Sequence, residues 1–210
     1  MRLLSTGFPI ICTVAALAGC GSSTATSDRD QFEALVARGE AINDRFAPPR
    51  LVTTSLNMPD TGSATYTGVA AVVVETPATM TVLAGEASIV AEFGTNTLSG
   101  SMTNFIGVSG PNVENPPDAV LDGATPYAGT LAVTNGTIGS IVASGVSADF
   151  AGSLTGGGNV IVMNGTMIGQ FIGNPNPLGL LMQSNDGTST TTLNGAVVDG
   201  TAGLSAETAF

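Results

Sequence analysis

The spacing of apolar residues changes character twice along the chain, and each change predicts a different element. After Met1-Arg2, residues Leu3 to Ala16 form an apolar stretch broken only by small or polar residues. It is too short to span a bilayer as a helix, and with its basic start it predicts a secretory signal. From Asp28 the apolar positions Phe32, Leu35, Val36, Ile42 and Phe46 recur at helical spacing. Ser27 with Asp30 makes a capping-box start and Pro48-Pro49 a stop, so an amphipathic helix is expected over 28–47, weakened in its middle by Gly39.

From about Asp60 the period becomes two. Ala87, Ile89, Ala91 and Phe93 alternate with Ser88, Val90 and Glu92, and Leu98, Gly100 and Met102 alternate with Ser and Thr. Such alternation marks strands with one face buried and one wet. Further strands are expected at 65–75, 127–133, 137–142, 146–154, 160–172, 179–184 and 191–199, divided by turn clusters such as Gly156-Gly157-Gly158. Eight or nine strands suit a closed barrel better than an open sheet with exposed edges. Three Asn-Gly pairs, Asn135-Gly136, Asn164-Gly165 and Asn194-Gly195, fit either hairpin turns or bends inside long barrel strands. The run from Ala91 to Gly100 echoes that from Ala148 to Gly156, as if one hairpin with a buried Phe93 or Phe150 at its corner were used twice.

Composition narrows the chemistry. The 210 residues carry 16 acids, five arginines, no lysine, no histidine and no tryptophan, for a formal charge of −11. The absence of histidine removes imidazole catalysis and the commonest zinc and haem ligands. The charge argues against nucleic acid as a partner, because phosphate contacts need cations. Beyond Asp60 no cation occurs, and four of the five arginines fall at Arg29, Arg38, Arg45 and Arg50. The carboxylates, among them Asp60, Glu75, Glu86, Glu92, Asp118, Asp122, Asp149 and Asp199, are scattered. A glycosidase needs two carboxyl groups in one cleft and aromatic platforms, and only Tyr66 and Tyr127 join the phenylalanines, so an enzyme is not expected. Asn185-Asp186-Gly187 and Asp199-Gly200 lack the spacing of calcium loops and read as turns, so neither metal nor cofactor is expected.

The signal closes with Leu17-Ala18-Gly19-Cys20, which resembles the lipobox of bacterial lipoproteins. That resemblance implies cleavage between Gly19 and Cys20, lipidation and palmitate on Cys20, and a membrane held through that lipid. Cys12 would leave with the signal, so no disulfide could form within the mature chain. Gly21 in place of Asp implies, by likeness to enterobacterial sorting, the outer membrane. Residues 20–27 are small and polar enough for a flexible lipidated tether. A membrane-spanning barrel is not expected, since outward positions are Thr and Ser and no aromatic girdle is present.

Met58-Pro59-Asp60-Thr61-Gly62-Ser63-Ala64-Thr65-Tyr66-Thr67-Gly68-Val69-Ala70, together with Glu92-Phe93 and Thr97-Leu98-Ser99-Gly100, resembles bacterial lipoproteins with a transferrin-binding protein B-like β-barrel domain. Where many members carry Gly-x-Phe-Tyr-Gly-Pro, this chain has Gly169-Gln170-Phe171-Ile172-Gly173-Asn174-Pro175, without the Tyr and with the Pro displaced. The resemblance implies a lipid-anchored, soluble eight-stranded antiparallel barrel over 58–210, at the periplasmic face or the cell surface. Characterised members bind host iron proteins, complement regulators or haem, and none of those roles maps onto residues here.

The expectation is therefore an all-β chain: signal peptide 1–19, lipidated tether 20–27, amphipathic helix 28–47 and barrel 58–210. Its function is expected to be that of a non-enzymatic binding or surface-interaction module with a protein partner. The alternatives are a structural or protective envelope lipoprotein and a carboxylate-dependent hydrolase. Phe93, Met102, Phe150, Leu154, Met163, Met167 and Phe171 are expected to fill the barrel and leave no room for a haem-sized ligand.

Overall fold

A computed structural model describes residues 27–46, 52–111, 117–139, 145–185 and 187–208. The expected signal, the cleavage site at Gly19 and Cys20, and residues 20–26 of the expected tether lie outside them, as do Ala47 at the end of the expected helix and Asp186.

The helix α1 spans Asp28–Arg45 and begins with the expected capping box: Ser27 Oγ accepts from the Asp30 backbone N–H at 3.1 Å, and the Asp30 carboxylate accepts from the Ser27 N–H at 3.3 Å. Each of these bonds satisfies a donor that the first helical turn would leave orphaned. Phe32, Ile42 and Phe46 are buried, whereas Val36, expected on the same stripe, stays exposed.

Among the described residues nine strands follow: β1 Ser63–Glu75, β2 Met80–Glu92, β3 Thr97–Gly110, β4 Thr125–Ile138, β5 Gly145–Gly156, β6 Asn159–Ile172, β7 Gly179–Ser184, β8 Thr190–Leu193 and β9 Ala196–Thr208. A four-residue helix, α2 (Asp118–Leu121), lies between β3 and β4. Every pairing is antiparallel and β9 returns to β1, closing an eight-staved barrel. The eighth stave is made of two pieces. β7 runs against Met167–Ile172 of β6 and β8 continues in the same direction against Ile161–Asn164, while β9 pairs with both. At the break, Ser184 Oγ accepts from the Ala202 N–H at 3.1 Å, in place of a backbone carbonyl.

Three expectations about the strands need correction. The strands expected at 127–133 and from 137 onward run together as one strand, β4, which ends at Ile138 and bulges at Asn135, shifting its inward residues from odd to even numbers; residues 140–142 of the expectation lie outside the described residues. The expected strand at 191–199 is a hairpin, β8 and β9, turning at Asn194-Gly195 with φ of 52° and 85°. Both readings of the Asn-Gly pairs are thus realised, the third as a turn and the first two inside strands. The echo between Ala91–Gly100 and Ala148–Gly156 is not a repeated hairpin. Phe93 does sit at a turn, but Phe150 lies in mid-strand opposite Val133 and Gly165.

Inside, one cluster runs through every stave and includes Phe93, Met102, Phe150, Leu154, Met163, Met167 and Phe171, all buried. Small inward residues are compensated by their neighbours: a Cβ on Gly85 would fall 2.5 Å from the Phe105 ring, so that ring occupies the missing side chain's space. At the end of the barrel where β1 begins, Tyr66 and Phe171 pack with ring centroids 5.4 Å apart, and Phe93 lies 5.9 Å from Phe171. The Tyr66 hydroxyl donates to the Pro177 carbonyl at 2.7 Å, tying the loop after β6 across this end.

Candidate functional site

The helix lies against the outside of the barrel and is fastened at both ends. Its amino-terminal half buries Phe32 against Ala84, Ile106 and Val108, and its carboxyl end packs Ile42 and Phe46 on Ile172. The Phe46 ring rests on Gly179, where a Cβ would come within 2.6 Å of it.

Charge adds direction to these apolar contacts. Described cations occur on α1 alone, and the barrel beneath has none. Arg29 reaches Asp118 at 2.7 Å and Asp122 at 2.6 Å on and beside α2, and Glu33 at 2.9 Å on its own helix. These three carboxylates hold its guanidinium proton above the ordinary arginine range. Arg45 forks onto Glu207 of β9, with Nε 2.9 Å from Oε2, and Ser205 donates to Asn43 at 2.9 Å. Arg38 makes no ion pair among the described residues.

Between these fastenings the cylinder of the helix and the curved wall leave a groove on each side. The larger, of about 740 Å³, follows the carboxyl-terminal half of α1 and is lined by Gly39, Asn43, Val69, Ala71, Ile168, Gln170, Leu181, Gln183 and Ser205, with Gly145 at its rim. Among the described residues its lining carries no charged side chain: an apolar floor is bordered by amides and a hydroxyl. The smaller, of about 550 Å³, lies along the amino-terminal half, where Asp28, Gln31, Leu35 and Arg38 face Glu86, Asn104, Ile106, Pro126 and Ala128.

The carboxylates considered from the sequence are taken up by local partners or stand against each other in the wall, and no two of them line either groove among the described residues. Glu86 accepts from Asn104 Nδ2 at 2.6 Å and Asp149 from Asn135 Nδ2 at 2.9 Å. Both asparagines hold positive φ at β-bulges, so each acid latches a bulge in the neighbouring strand. Asp118 and Asp122 are engaged by Arg29, and Glu75 stands opposite Asp199 across β1 and β9. Among the described residues, no three acids or thiols gather as a metal site would require. No described helix is long and apolar enough to cross a membrane.

The grooves were not foreseen from the sequence. The available signal was the confinement of arginines to the helical segment ahead of a barrel sequence without cations, a contrast from which docking of the helix on the barrel wall follows.

No family model and no curated protein matches this chain. Among solved structures it is similar to the vaccine antigen transferrin binding protein B from Haemophilus parasuis Hp5, in two mutant forms. The likeness is at 16% identity over 75% of this chain and 28% of that chain, and at 18% identity over 76% and 29%, both with a TM-score of 0.44. The chain therefore spans less than a third of the length of those proteins.

Proposed function

We propose that this chain is a lipid-anchored, outer-membrane-associated lipoprotein whose barrel is a non-enzymatic binding module that meets a protein partner on its outer wall. The observation that carries the reading is a contrast between inside and outside. Side chains from all eight staves occupy the interior, whereas the wall beside α1 is concave on both flanks. Recognition sites are concave, with an apolar floor and a few placed polar groups, and the larger groove has that composition. The lipobox-like Leu17-Ala18-Gly19-Cys20 supports anchoring through Cys20. The resemblance of residues 58–70 and of the β2–β3 hairpin to transferrin-binding protein B-like lipoproteins supports the class. The dispersal of carboxylates into latches and clamps speaks for binding over hydrolysis.

The test has two arms. In cells fed labelled palmitate, the wild-type chain should carry the label and fractionate with membranes, and Cys20→Ser should lose both. A labelled, membrane-bound Cys20→Ser chain would overturn the anchor. In the second arm, the purified mature chain should bind neither haem nor a hydrophobic dye stoichiometrically. It should capture a partner from the growth medium or envelope, and the Ala71→Arg groove variant should lose that partner at least tenfold. One submicromolar haem or dye site would move the ligand into the barrel and overturn the outer-wall reading.

A further inference from the structure

The two ends of the barrel are not equivalent with respect to the chain's entry. One end carries the β1–β2 turn at Thr76–Thr79, α2, and the turn at Gly157-Gly158. The other carries the 3-10 turn at Ser55–Asn57, the β2–β3 turn at 93–96, and the loop 173–178. Helix α1 runs from the first end to the second. Its first turn is bound to α2 by Arg29, while its last turn is bound to Glu207 and packs Phe46 on Gly179. The chain therefore enters the folded unit at the α2 end.

We infer that the barrel stands with its α2 end toward the lipid and its 93–96 and 173–178 loops away from it. The larger, uncharged groove beside the carboxyl-terminal half of α1 then lies on the far side, open to a macromolecular partner. The charged groove beside Asp28 and Arg38 lies on the lipid side. This inference rests on the reading of Cys20 as the anchor.

Reach decides between the two orientations. Ser27 lies seven positions after Cys20, and seven fully extended steps cover at most about 25 Å. A 13-residue stave such as β1 is about 43 Å long at 3.3 Å per residue, and at a tilt near 40° it gives the barrel a height of about 33 Å. An inverted barrel would need the tether to run back over that whole height, which exceeds its reach.

The absence of tryptophan supplies the test. Chains beginning at residue 20 contain one thiol, Cys20, which can be joined to a maleimide-bearing lipid in phosphatidylcholine vesicles that also hold a dansyl lipid. Energy transfer from a single tryptophan is then compared for Ala78→Trp, at the exposed turn of the α2 end, and Thr95→Trp, at the exposed turn of the opposite end. Transfer should be several-fold stronger from position 78. Equal transfer would mean that the barrel lies on its side, and stronger transfer from position 95 would mean that it is inverted; either overturns the inference. Because the lipid is attached chemically, failure of natural lipidation is read separately, from the palmitate label on Cys20 in cells.

Discussion

Asn96, Asn104, Asn135 and Asn194 are the non-glycine residues with positive φ among those described, each near 52–53°. Asparagine tolerates this conformation better than other side-chain-bearing residues, and at Asn104 and Asn135 its amide also reaches a carboxylate across the bulge. Asn135→Ala should therefore cost about 1–2 kcal/mol in urea unfolding from the left-handed backbone alone. Asn135→Gly should cost less, because only the latch to Asp149 is lost. Tyr66 makes a pH prediction. Burial pushes its hydroxyl above the ordinary tyrosine range, so above about pH 10 the unfolded chain sheds a proton that the folded chain keeps. The stability this group contributes is fully present below that pH and falls as pH rises further. Tyr66→Phe should flatten that alkaline decline and cost about 0.5–1.5 kcal/mol at neutral pH for the lost bond to Pro177. Thr191 is the converse case: its buried Oγ1 has no hydrogen-bond partner among the described residues. Thr191→Val, which keeps the shape and removes the orphan, should leave the urea midpoint unchanged or raise it.

At the scale of elements, α1 and the wall are held by two kinds of interaction of unequal size. Ile42 is fully buried against Phe46 and Ile172, and truncating such a side chain costs about 2–5 kcal/mol. The Arg45–Glu207 pair is half-exposed on the arginine side, and exposed pairs contribute about 0–1 kcal/mol. In hydrogen exchange, Ile42→Ala should strip protection from the α1 amides while Arg45→Gln changes it little. The arginines add ion pairs at the two ends of the helix; the apolar residues hold it on the wall.

For the whole molecule, closure of β1 onto β9 removes the sheet edges but places Glu75 directly opposite Asp199 with no cation on either strand. Like charges facing across paired strands are unfavourable. Glu75→Gln should raise the melting temperature in low salt, and the gain should shrink as salt screens the pair. Phe150, in mid-barrel, and Phe93, at the end, belong to the same buried cluster, so each Phe→Ala variant should lose about 3–5 kcal/mol of global stability in urea. A loss confined to one of them would show that the cluster does not unfold as a unit.

The local periods of the chain determined a good deal: the helix with its Ser27–Asp30 cap, the strand faces that bury Phe93, Met102 and Phe171, and the confinement of cations to one segment. Period and capping act between residues a few positions apart, so they are legible in one dimension. Tertiary structure alone decided that 191–199 turns at Asn194 whereas Asn135 only bulges, since the same dipeptide fits both and the partner strand makes the choice. It alone joined β7 and β8 into one stave, because their alignment comes from pairing to β6 and β9 and not from their own six and four residues. The same holds for Val36, which the helical stripe places with Phe32 but the curvature of the wall leaves in solvent. The grooves beside α1 arise where a straight cylinder meets a curved sheet, a geometry that exists only once residues 89 and 162 positions apart in sequence have been brought into contact.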